Sequence, residues 1–159
     1  MGLLVDYPTL LRAIRTTDPD ALPRLSLLVQ RARSLGSVFV ARAYGAWYDL
    51  DESLSAFGQG VDPVFVPPVG PGSAPTTSAL VADGLVLIRA GLVQTLALSG
   101  DDRLLPLAAA AHAAGLEVAM LAHACQPDGP CLKLASVAEP ASAFARPAGR
   151  GERNRRSVA

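Results

Sequence analysis

The sequence predicts an α/β domain, built as a three-layer sandwich with a mainly parallel central sheet between helices. Short apolar runs alternate with longer amphipathic stretches along most of the 159 residues, which is typical of repeated strand–helix units. Half of the residues are hydrophobic and 18% are charged, so one domain can bury a sizeable core. Glycine ends most of the amphipathic stretches, as expected where a helix stops before a strand.

The first half of the chain contains three predicted strands. In order, the predicted elements are a strand at 3–6, a helix from Pro8 that the run 16–20 interrupts, a helix at 23–35, a strand at 37–44, a helix through Leu54 to Phe57, and a strand at 61–68. Leu25, Leu28 and Val29 fall on one face of the second helix. Pro63 and Pro67 indicate an edge strand or a strand with irregular pairing, because proline cannot donate a ladder hydrogen bond.

The second half begins with a loop rich in glycine, proline and serine. The predicted elements are this loop at 69–78, a helix at 77–90, a strand at 93–98, a helix after the Ser99–Asp102 turn to about Ala114, a strand at 116–121, a loop at 126–130, and a short strand at 131–136 followed by a helical turn. We assign the domain to residues 1–145. Residues 146–159 form a basic tail with the composition of a disordered linker.

Charge is unevenly distributed, although the net charge is zero. The tail at 146–159 carries five of the 14 basic residues and only one of the 14 acids, which leaves an acidic body. An acidic body does not by itself attract nucleic acid, whereas the tail can supply affinity for phosphate. No apolar run reaches the ~18 residues of a membrane span, and the N-terminal run lacks the basic flank of a signal peptide.

The two cysteines, Cys125 and Cys131, bracket a turn-like segment. Two cysteines are too few for a disulfide framework, and the chain has no further cysteine or histidine cluster at zinc-site spacing. We expect free thiols in a cytoplasmic protein, with a local disulfide as the alternative.

Aspartates follow two of the predicted strands. Asp6 ends the first strand, and Asp101 follows the strand at 93–98 after a short turn. Open α/β sheets build their sites at the carboxyl ends of strands, where neighbouring parallel strands deliver their side chains to one edge. Carboxylates grouped in this way bind divalent cations that serve phosphoryl chemistry. The sequence therefore predicts a divalent-metal site at Asp6 and Asp101 if the two strands are neighbours.

Several segments, taken in order, resemble the NYN domains, a PIN-like bacterial family of the LabA type. They are LLVDYPTL from Leu3, VFVARAYGAWYD from Val38, TTSALVADGLVLI from Thr76 and LALSGDDRLLPL from Leu96. The segment at 43–47 is similar to the family's Tyr-Ala-x-Trp signature. Residues 99–107 are similar to its Ser-Gly-Asp-x-Asp-Phe-x-Pro-Leu signature. The resemblance covers about residues 3–140.

This resemblance implies a PIN-like Rossmannoid sheet and a cluster of carboxylates that binds Mg²⁺ or Mn²⁺. The family chemistry it implies is hydrolysis of RNA phosphodiesters, so RNA is the expected partner. Asp6 would be the metal ligand on the first strand and Asp101 the metal ligand of the second signature. Asp83 would be the catalytic acid in the long helix.

The sequence also departs from the family pattern at the expected site. Thr9 stands where the family has asparagine, and Thr77 stands where it has the acid that begins the long helix, with Ser73 in the lysine position before it. Arg103 stands where the signature has its second acid. The neighbouring Asp102 projects from the helix in a different direction and does not replace that acid. Thr9, Thr77, Arg103 and Ser99 remain candidate RNA contacts.

Arg103 decides between two interpretations of function. A guanidinium beside the carboxylates competes with a metal ion, and we expect it to pair with Asp101. The first interpretation is a divalent-metal-dependent ribonuclease with a weakened site; the alternative is an inactive pseudo-nuclease that binds RNA or protein. Two simpler roles stay open: Asp101 and Asp102 can cap the following helix, and Asp83 can be an exposed surface residue. A homodimer formed through an alanine- and leucine-rich surface is a further possibility.

Overall fold

A computed structural model of the chain describes residues 1–70 and 74–146. Helices and parallel strands alternate along it, and helices flank a six-stranded sheet, which confirms the predicted α/β architecture. The elements are β1 Gly2–Asp6, α1 Tyr7–Thr17, β2 Leu22–Pro23, α2 Leu25–Leu35, β3 Val40–Gly45, α3 Leu50–Gly58, β4 Asp62–Phe65, α4 Pro75–Arg89, β5 Thr95–Ser99, α5 Leu105–Ala113, β6 Glu117–His123, α6 Pro130–Leu134, β7 Val137–Pro140 and β8 Ala145–Arg146. Short 3₁₀ helices cover Asp102–Leu104 and Ala141–Phe144.

The main sheet has the strand order β4-β3-β1-β5-β6-β7, and every neighbouring pair in it is parallel. β1 lies between β3 and β5, with Asp6 opposite Tyr44 and Val5 opposite Ser99. The strands that end at Asp6 and just before Asp101 are therefore neighbours, as the site prediction requires. β4 is an edge strand, which is one of the two arrangements that Pro63 predicts.

Each face of the sheet packs against its own hydrophobic core. Successive residues of a strand point to opposite faces, so Leu3 and Val5 of β1 enter one core and Leu4 enters the other. α1, α2 and the Ala141–Phe144 turn cover the first face, and α4, α5 and α6 cover the second. Because both faces are covered, β1 is apolar from Gly2 to Val5 and does not alternate with polar residues before it ends at Asp6.

Gly84 sets the close packing of α4 against α5. A Cβ at this position would lie 2.5 Å from Cδ2 of Leu107, which is too short for two carbon atoms that are not bonded to each other. The absence of a side chain therefore lets Leu107 fill the space between the two helices. α4 also contacts β1, and Thr77 near the start of α4 donates a hydrogen bond to Asp6 at the end of that strand.

The segment at 131–136 is where the sequence prediction of a strand is wrong. α6 occupies Pro130–Leu134, and the strand β7 begins only at Val137. Pro130 suits the first position of a helix, where a backbone N–H would have no partner within the helix. Asp102 supports the same turn, because its Oδ1 accepts a hydrogen bond from the backbone N–H of Cys131 at 3.3 Å.

A small antiparallel pair, which the sequence did not predict, joins distant parts of the described chain. Leu22 and Pro23 of β2 pair with Arg146 and Ala145 of β8. Ser73 and the arginine-rich residues 147–159 lie outside the described residues. Within residues 1–70 and 74–146, none of the helices combines the length and the apolar character needed to cross a bilayer.

Candidate functional site

Asp6 lies at the carboxyl end of β1 and is only 2% exposed. Its Oδ2 accepts a hydrogen bond of 2.7 Å from the hydroxyl of Thr77, and its Oδ1 accepts one of 3.2 Å from the backbone N–H of Thr9. The second bond makes Asp6 the N-cap of α1. Hydrogen bonds of this kind offset the cost of burying a carboxylate, so Asp6 has a structural role whatever else it does.

Thr9 connects Asp6 to the positive charges at this edge of the sheet. Its hydroxyl accepts hydrogen bonds from Nη2 of Arg103 at 2.9 Å and from Nη2 of Arg12 at 3.3 Å. Thr9 is itself buried at 3% exposure. Thr9 and Thr77 therefore both touch the Asp6 carboxylate, and Thr9 also holds two guanidinium groups close to it.

Arg103 and Asp101 form the ion pair that the sequence predicts. Nε of Arg103 lies 2.9 Å from Oδ1 and 3.0 Å from Oδ2 of Asp101, and Nη2 lies 2.8 Å from Oδ2. Burial raises the pKa of Asp101, but the hydrogen bonds and charge of Arg103, with the charge of Arg12, outweigh it and hold that pKa below its usual value. The pKa of Arg103 is raised, chiefly by its hydrogen bond to Asp101.

Asp101 also caps the turn that follows it, which is the simpler role that the sequence allowed. Its Oδ1 accepts a hydrogen bond of 3.0 Å from the backbone N–H of Arg103, which caps the Asp102–Leu104 turn. The same carboxylate thus begins the turn and fixes the guanidinium two residues later. Capping and ion pairing act together, since both hold Arg103 in one conformation.

Asp102 faces away from this pair, as its position in the turn predicts. Its Oδ2 accepts a hydrogen bond from the backbone N–H of Gln126 at 3.2 Å, and its Oδ1 accepts one from Cys131. A Cβ at Gly129 would lie 2.6 Å from both carboxylate oxygens of Asp102. A side chain at Gly129 would therefore displace the Asp102 carboxylate from its present position.

Asp102, Cys125 and Cys131 form a group that could hold a metal ion. One ligand atom from each residue lies within 4.8 Å of those of the other two. Both cysteines are free; Cys131 is buried and Cys125 is half-buried. The hydrogen bond with Cys131, burial and the charge of Asp102 raise the pKa of Cys125, whereas contact with Cys125 lowers the pKa of Cys131.

Sequence reasoning missed this group because its third member lies far away in the chain. The spacing of the two cysteines is longer than in usual zinc motifs. One signal was present in the sequence. Asp102 comes after the predicted strand at 93–98, and the two cysteines come after the next predicted strand, at 116–121. Adjacent parallel strands bring such turns to the same edge of a sheet.

The structure does not join Asp83 to Asp6 and Asp101. Its Oδ2 accepts hydrogen bonds from Nη1 of Arg42 at 3.0 Å and from the hydroxyl of Tyr44 at 2.8 Å, both on β3. Asp83 lies six residues beyond Thr77 in α4, about 9 Å along the helix axis. Burial and the hydrogen bond to Asp83 raise the pKa of Tyr44 above its usual value. Asp83 thus fixes α4 to β3.

Ser99 and Trp47 have partners that indicate structural roles. Ser99 is completely buried, and its hydroxyl donates a hydrogen bond to the carbonyl oxygen of Ala122 at 3.2 Å. Ser99 therefore supports the end of the sheet and does not line a surface. The indole N–H of Trp47 donates to the carbonyl oxygens of Ala43 and Val64, each at 3.1 Å. Trp47 in this way ties β3 to the edge strand.

An open pocket of about 450 Å³ lies beside the Asp101–Arg103 pair. Thr9 and Arg12 of α1 form one wall, and Asp101 and Cys125 lie on the other side. Arg12 has no ion-pair partner within the described residues. The pocket therefore presents a guanidinium and hydroxyl groups to a ligand, which is the chemistry that binds phosphate.

The side chains at Asp6 and Asp101 do not fit the metal cluster that the family resemblance implies. Mg²⁺ needs carboxylate oxygens that can turn their lone pairs toward it. Both oxygens of Asp101 contact the Arg103 guanidinium, and the Asp6 carboxylate is only 2% exposed, so an ion has little access to it. Thr77 supplies a neutral hydroxyl where a third acid is expected. A single ion at Asp101 would have to displace Arg103.

Comparisons with known proteins address the fold but not the function. No protein-family model matches the chain, and no curated protein matches it. Three solved chains match, and one of them is a protein of unknown function from Vibrio parahaemolyticus. That crystal structure has a TM-score of 0.68 and 17% sequence identity, with 87% of this chain and 90% of that chain covered. A likeness at this identity shows a shared fold alone.

Proposed function

We propose that this chain is a PIN-like domain of the NYN type that binds RNA without cleaving it. The observation that carries the proposal is the position of Arg103, which contacts Asp101 and Thr9 at the edge of the sheet where catalytic metal would bind. The resemblance of the sequence segments to NYN domains supports the choice of RNA as the ligand.

The arrangement of Arg103 disfavours metal-dependent cleavage on electrostatic grounds. A fixed guanidinium neutralises the Asp101 carboxylate and lowers the local affinity for a second cation. Displacing it would break its contacts with both Asp101 and Thr9, and the freed positive charge would remain close to the incoming ion. The carboxylate of Asp6 is also buried, so an ion would reach it only if neighbouring groups moved.

The same residues favour a phosphate ligand. Arg12 and Arg103 converge on the hydroxyl of Thr9, and Arg12 lines the pocket beside them. Arg15, one turn further along α1, lines a second open cavity together with Arg12. Guanidinium groups bind phosphate oxygens with paired hydrogen bonds, so this face of α1 provides contacts to an RNA backbone.

A weakened divalent-metal-dependent endoribonuclease is the second candidate. The observation that favours it is the pairing of β1 with β5, which brings Asp6 and Asp101 to one edge of the sheet. In this candidate Mg²⁺ or Mn²⁺ would bind at these two acids once the Arg103 side chain had moved away. The ion would then activate water against the RNA phosphate.

One assay distinguishes the two candidates. Labelled single-stranded RNA is incubated with the full chain and Mn²⁺, and both retention of the RNA and its cleavage are measured. We expect binding without cleavage, and Arg12→Ala should weaken binding and reduce the slope of its salt dependence by about 1. Arg33→Ala serves as the matched control, because Arg33 is an exposed arginine on α2.

Three outcomes would contradict the proposal in different ways. Mn²⁺-dependent cleavage that disappears in an Asp6→Asn/Asp101→Asn variant would favour the nuclease. Absence of both binding and cleavage would refute both candidates. Equal weakening by Arg12→Ala and Arg33→Ala would show that general positive charge, and not this pocket, accounts for RNA binding.

A further inference from the structure

A second group of reactive side chains lies beyond the ends of β5 and β6. It is separate from the contacts that Asp6 and Asp101 make. It consists of Asp102, Cys125 and Cys131, whose ligand atoms lie within 4.8 Å of one another. β5 and β6 are parallel neighbours, so the turns that follow them meet at the same edge of the sheet. The proposed RNA-binding function assigns no chemical role to this group, although Cys125 also lines the pocket beside Arg12.

The Asp102 carboxylate is held in place by the loop that carries both cysteines. The backbone N–H groups of Gln126 and Cys131 each donate to one of its oxygens. Gly129 has no side chain at a point where a Cβ would lie 2.6 Å from both oxygens. Hydrogen bonds of this kind orient a carboxylate ligand in known metal sites, because they fix its direction and leave lone pairs available.

Among the described residues, no basic side chain forms a salt bridge with this group. Asp101, its neighbour, is paired with Arg103, whereas no salt bridge to Asp102 is present in residues 1–70 and 74–146. A carboxylate and two sulfur atoms are thus packed together, with Cys131 completely buried. Electron-rich atoms gathered in this way repel one another unless a cation or protons lie between them.

We propose that Asp102, Cys125 and Cys131 are three protein ligands of a Zn²⁺ ion, with water in the fourth position. Two thiolates and one carboxylate suit zinc, whereas Mg²⁺ and Ca²⁺ prefer oxygen ligands alone. Tetrahedral bonds of about 2.0–2.3 Å place ligand atoms about 3.3–3.8 Å apart. The present separations, all within 4.8 Å, therefore need to contract by at most about 1–1.5 Å. His123 is not part of this group, and the proposal assigns the fourth position to water.

Zinc at this position would act as a clip between two loops. It would fasten the loop after β6 and the start of α6 to the turn that contains Arg103. Because Cys125 lines the pocket beside Thr9 and Arg12, the clip would also fix one side of that pocket. Binding would release the two thiol protons, since zinc coordinates the thiolate form.

The proposal is tested with the full chain, stripped of metal by a chelator and kept reduced. Zn²⁺ is titrated by calorimetry, and Co²⁺ serves as the spectroscopic probe. We expect one ion per chain, binding in the micromolar range or tighter, and thiolate-to-cobalt charge-transfer absorption. Zn²⁺ should also raise the Tm, because a ligand that binds only the folded state stabilises it.

Variants locate the ion. Cys125→Ser is preferred to a change at the fully buried Cys131, and it should lower the affinity at least tenfold and reduce the charge-transfer absorption. Asp102→Asn and Gly129→Ala should each lower the affinity about tenfold or more, the second by displacing the carboxylate. Asp128→Asn is the matched control, since Asp128 lies in the same loop and its positive φ is one that asparagine also adopts. Circular dichroism verifies that each variant is folded.

Several results would overturn the proposal. The first is a dissociation constant for Zn²⁺ above about 100 μM. The second is an affinity for Zn²⁺ that Cys125→Ser leaves unchanged, or that Asp128→Asn lowers as much as Asp102→Asn does. The third is a Cys125–Cys131 disulfide that persists in reductant. None of these readouts involves RNA, so failure of the zinc site and failure of the proposed function are distinguishable.

Discussion

Replacing Thr77 by valine tests whether its hydroxyl stabilises the buried carboxylate of Asp6. Valine keeps the branched shape of threonine but offers a methyl group where the hydroxyl donated its hydrogen bond. Asp6 is 2% exposed, so water has little access to replace the lost donor. The backbone N–H of Thr9 would remain as a donor to the other carboxylate oxygen.

The expected loss of stability follows from the geometry of this hydrogen bond. The 2.7 Å separation between Oγ1 of Thr77 and Oδ2 of Asp6 is typical of a hydroxyl donating to a charged carboxylate. Hydrogen bonds to charged groups contribute about 1.5–3 kcal/mol, so we expect the free energy of unfolding to fall by about 2 kcal/mol. For a chain of 159 residues this lowers the Tm by about 4–8 °C.

Urea denaturation followed by fluorescence measures this difference. Trp47 is the only tryptophan, and its ring packs 4.5 Å from that of Tyr7 at the start of α1, so it reports on the region. Thr76→Val is the matched control, because Thr76 precedes Thr77 in α4 and is only half-buried. In an Asp6→Asn background the effect of Thr77→Val should shrink, since the charged acceptor is gone. A loss below about 0.5 kcal/mol, or an equal loss in Thr76→Val, would refute this account of Asp6.

Three further predictions follow from contacts elsewhere in the fold. Gly84→Ala should destabilise the fold by about 1–3 kcal/mol in urea denaturation, because the added methyl overlaps Leu107, and an unchanged midpoint would contradict that packing. The lowered pKa of Asp101 gives stability that is complete above the ordinary aspartate pKa of about 3.9 and is lost as pH falls through the lower folded value. Acid titration of Arg103→Ala should lack this loss, and an unchanged acid profile would argue against the ion pair. Asp83→Asn should lower the Tm, because it weakens the contacts with Arg42 and Tyr44, but should leave RNA affinity unchanged. Weakened RNA binding by a folded Asp83→Asn variant would show that Asp83 belongs to the RNA-binding site.

Much of the fold was accessible from the sequence, because hydrophobic runs and their terminating glycines report local structure. The alternation of apolar and amphipathic stretches predicted the order of the main strands and helices, and Pro63 predicted an edge strand or irregular pairing, of which the first is present. The segment at 131–136 misled the prediction because its apolar pattern is short enough to suit either a strand or a helix. The hydrogen bond from Cys131 to Asp102 supports the helix there, and no local pattern contains that information.

The site was partly predictable for a similar reason. Asp6 and Asp101 each follow a strand, and the nearby position of Arg103 in the chain made its pairing with Asp101 a local inference. The partners of Asp83 depend on how α4 lies across β3, which sequence alone does not reveal. The contact between Asp102 and the two cysteines depends on β5 and β6 being neighbours, so it becomes visible only in the assembled sheet.

The central claim is that Arg103 occupies the place of a catalytic metal, and Mn²⁺ calorimetry tests it most directly. The titration is done in a Cys125→Ser background, so that the thiol group does not contribute, and is repeated with Asp6→Asn/Asp101→Asn added. Our account predicts no stoichiometric Mn²⁺ binding in either protein. Tight binding of one or two Mn²⁺ ions that disappears when both acids are changed would contradict it.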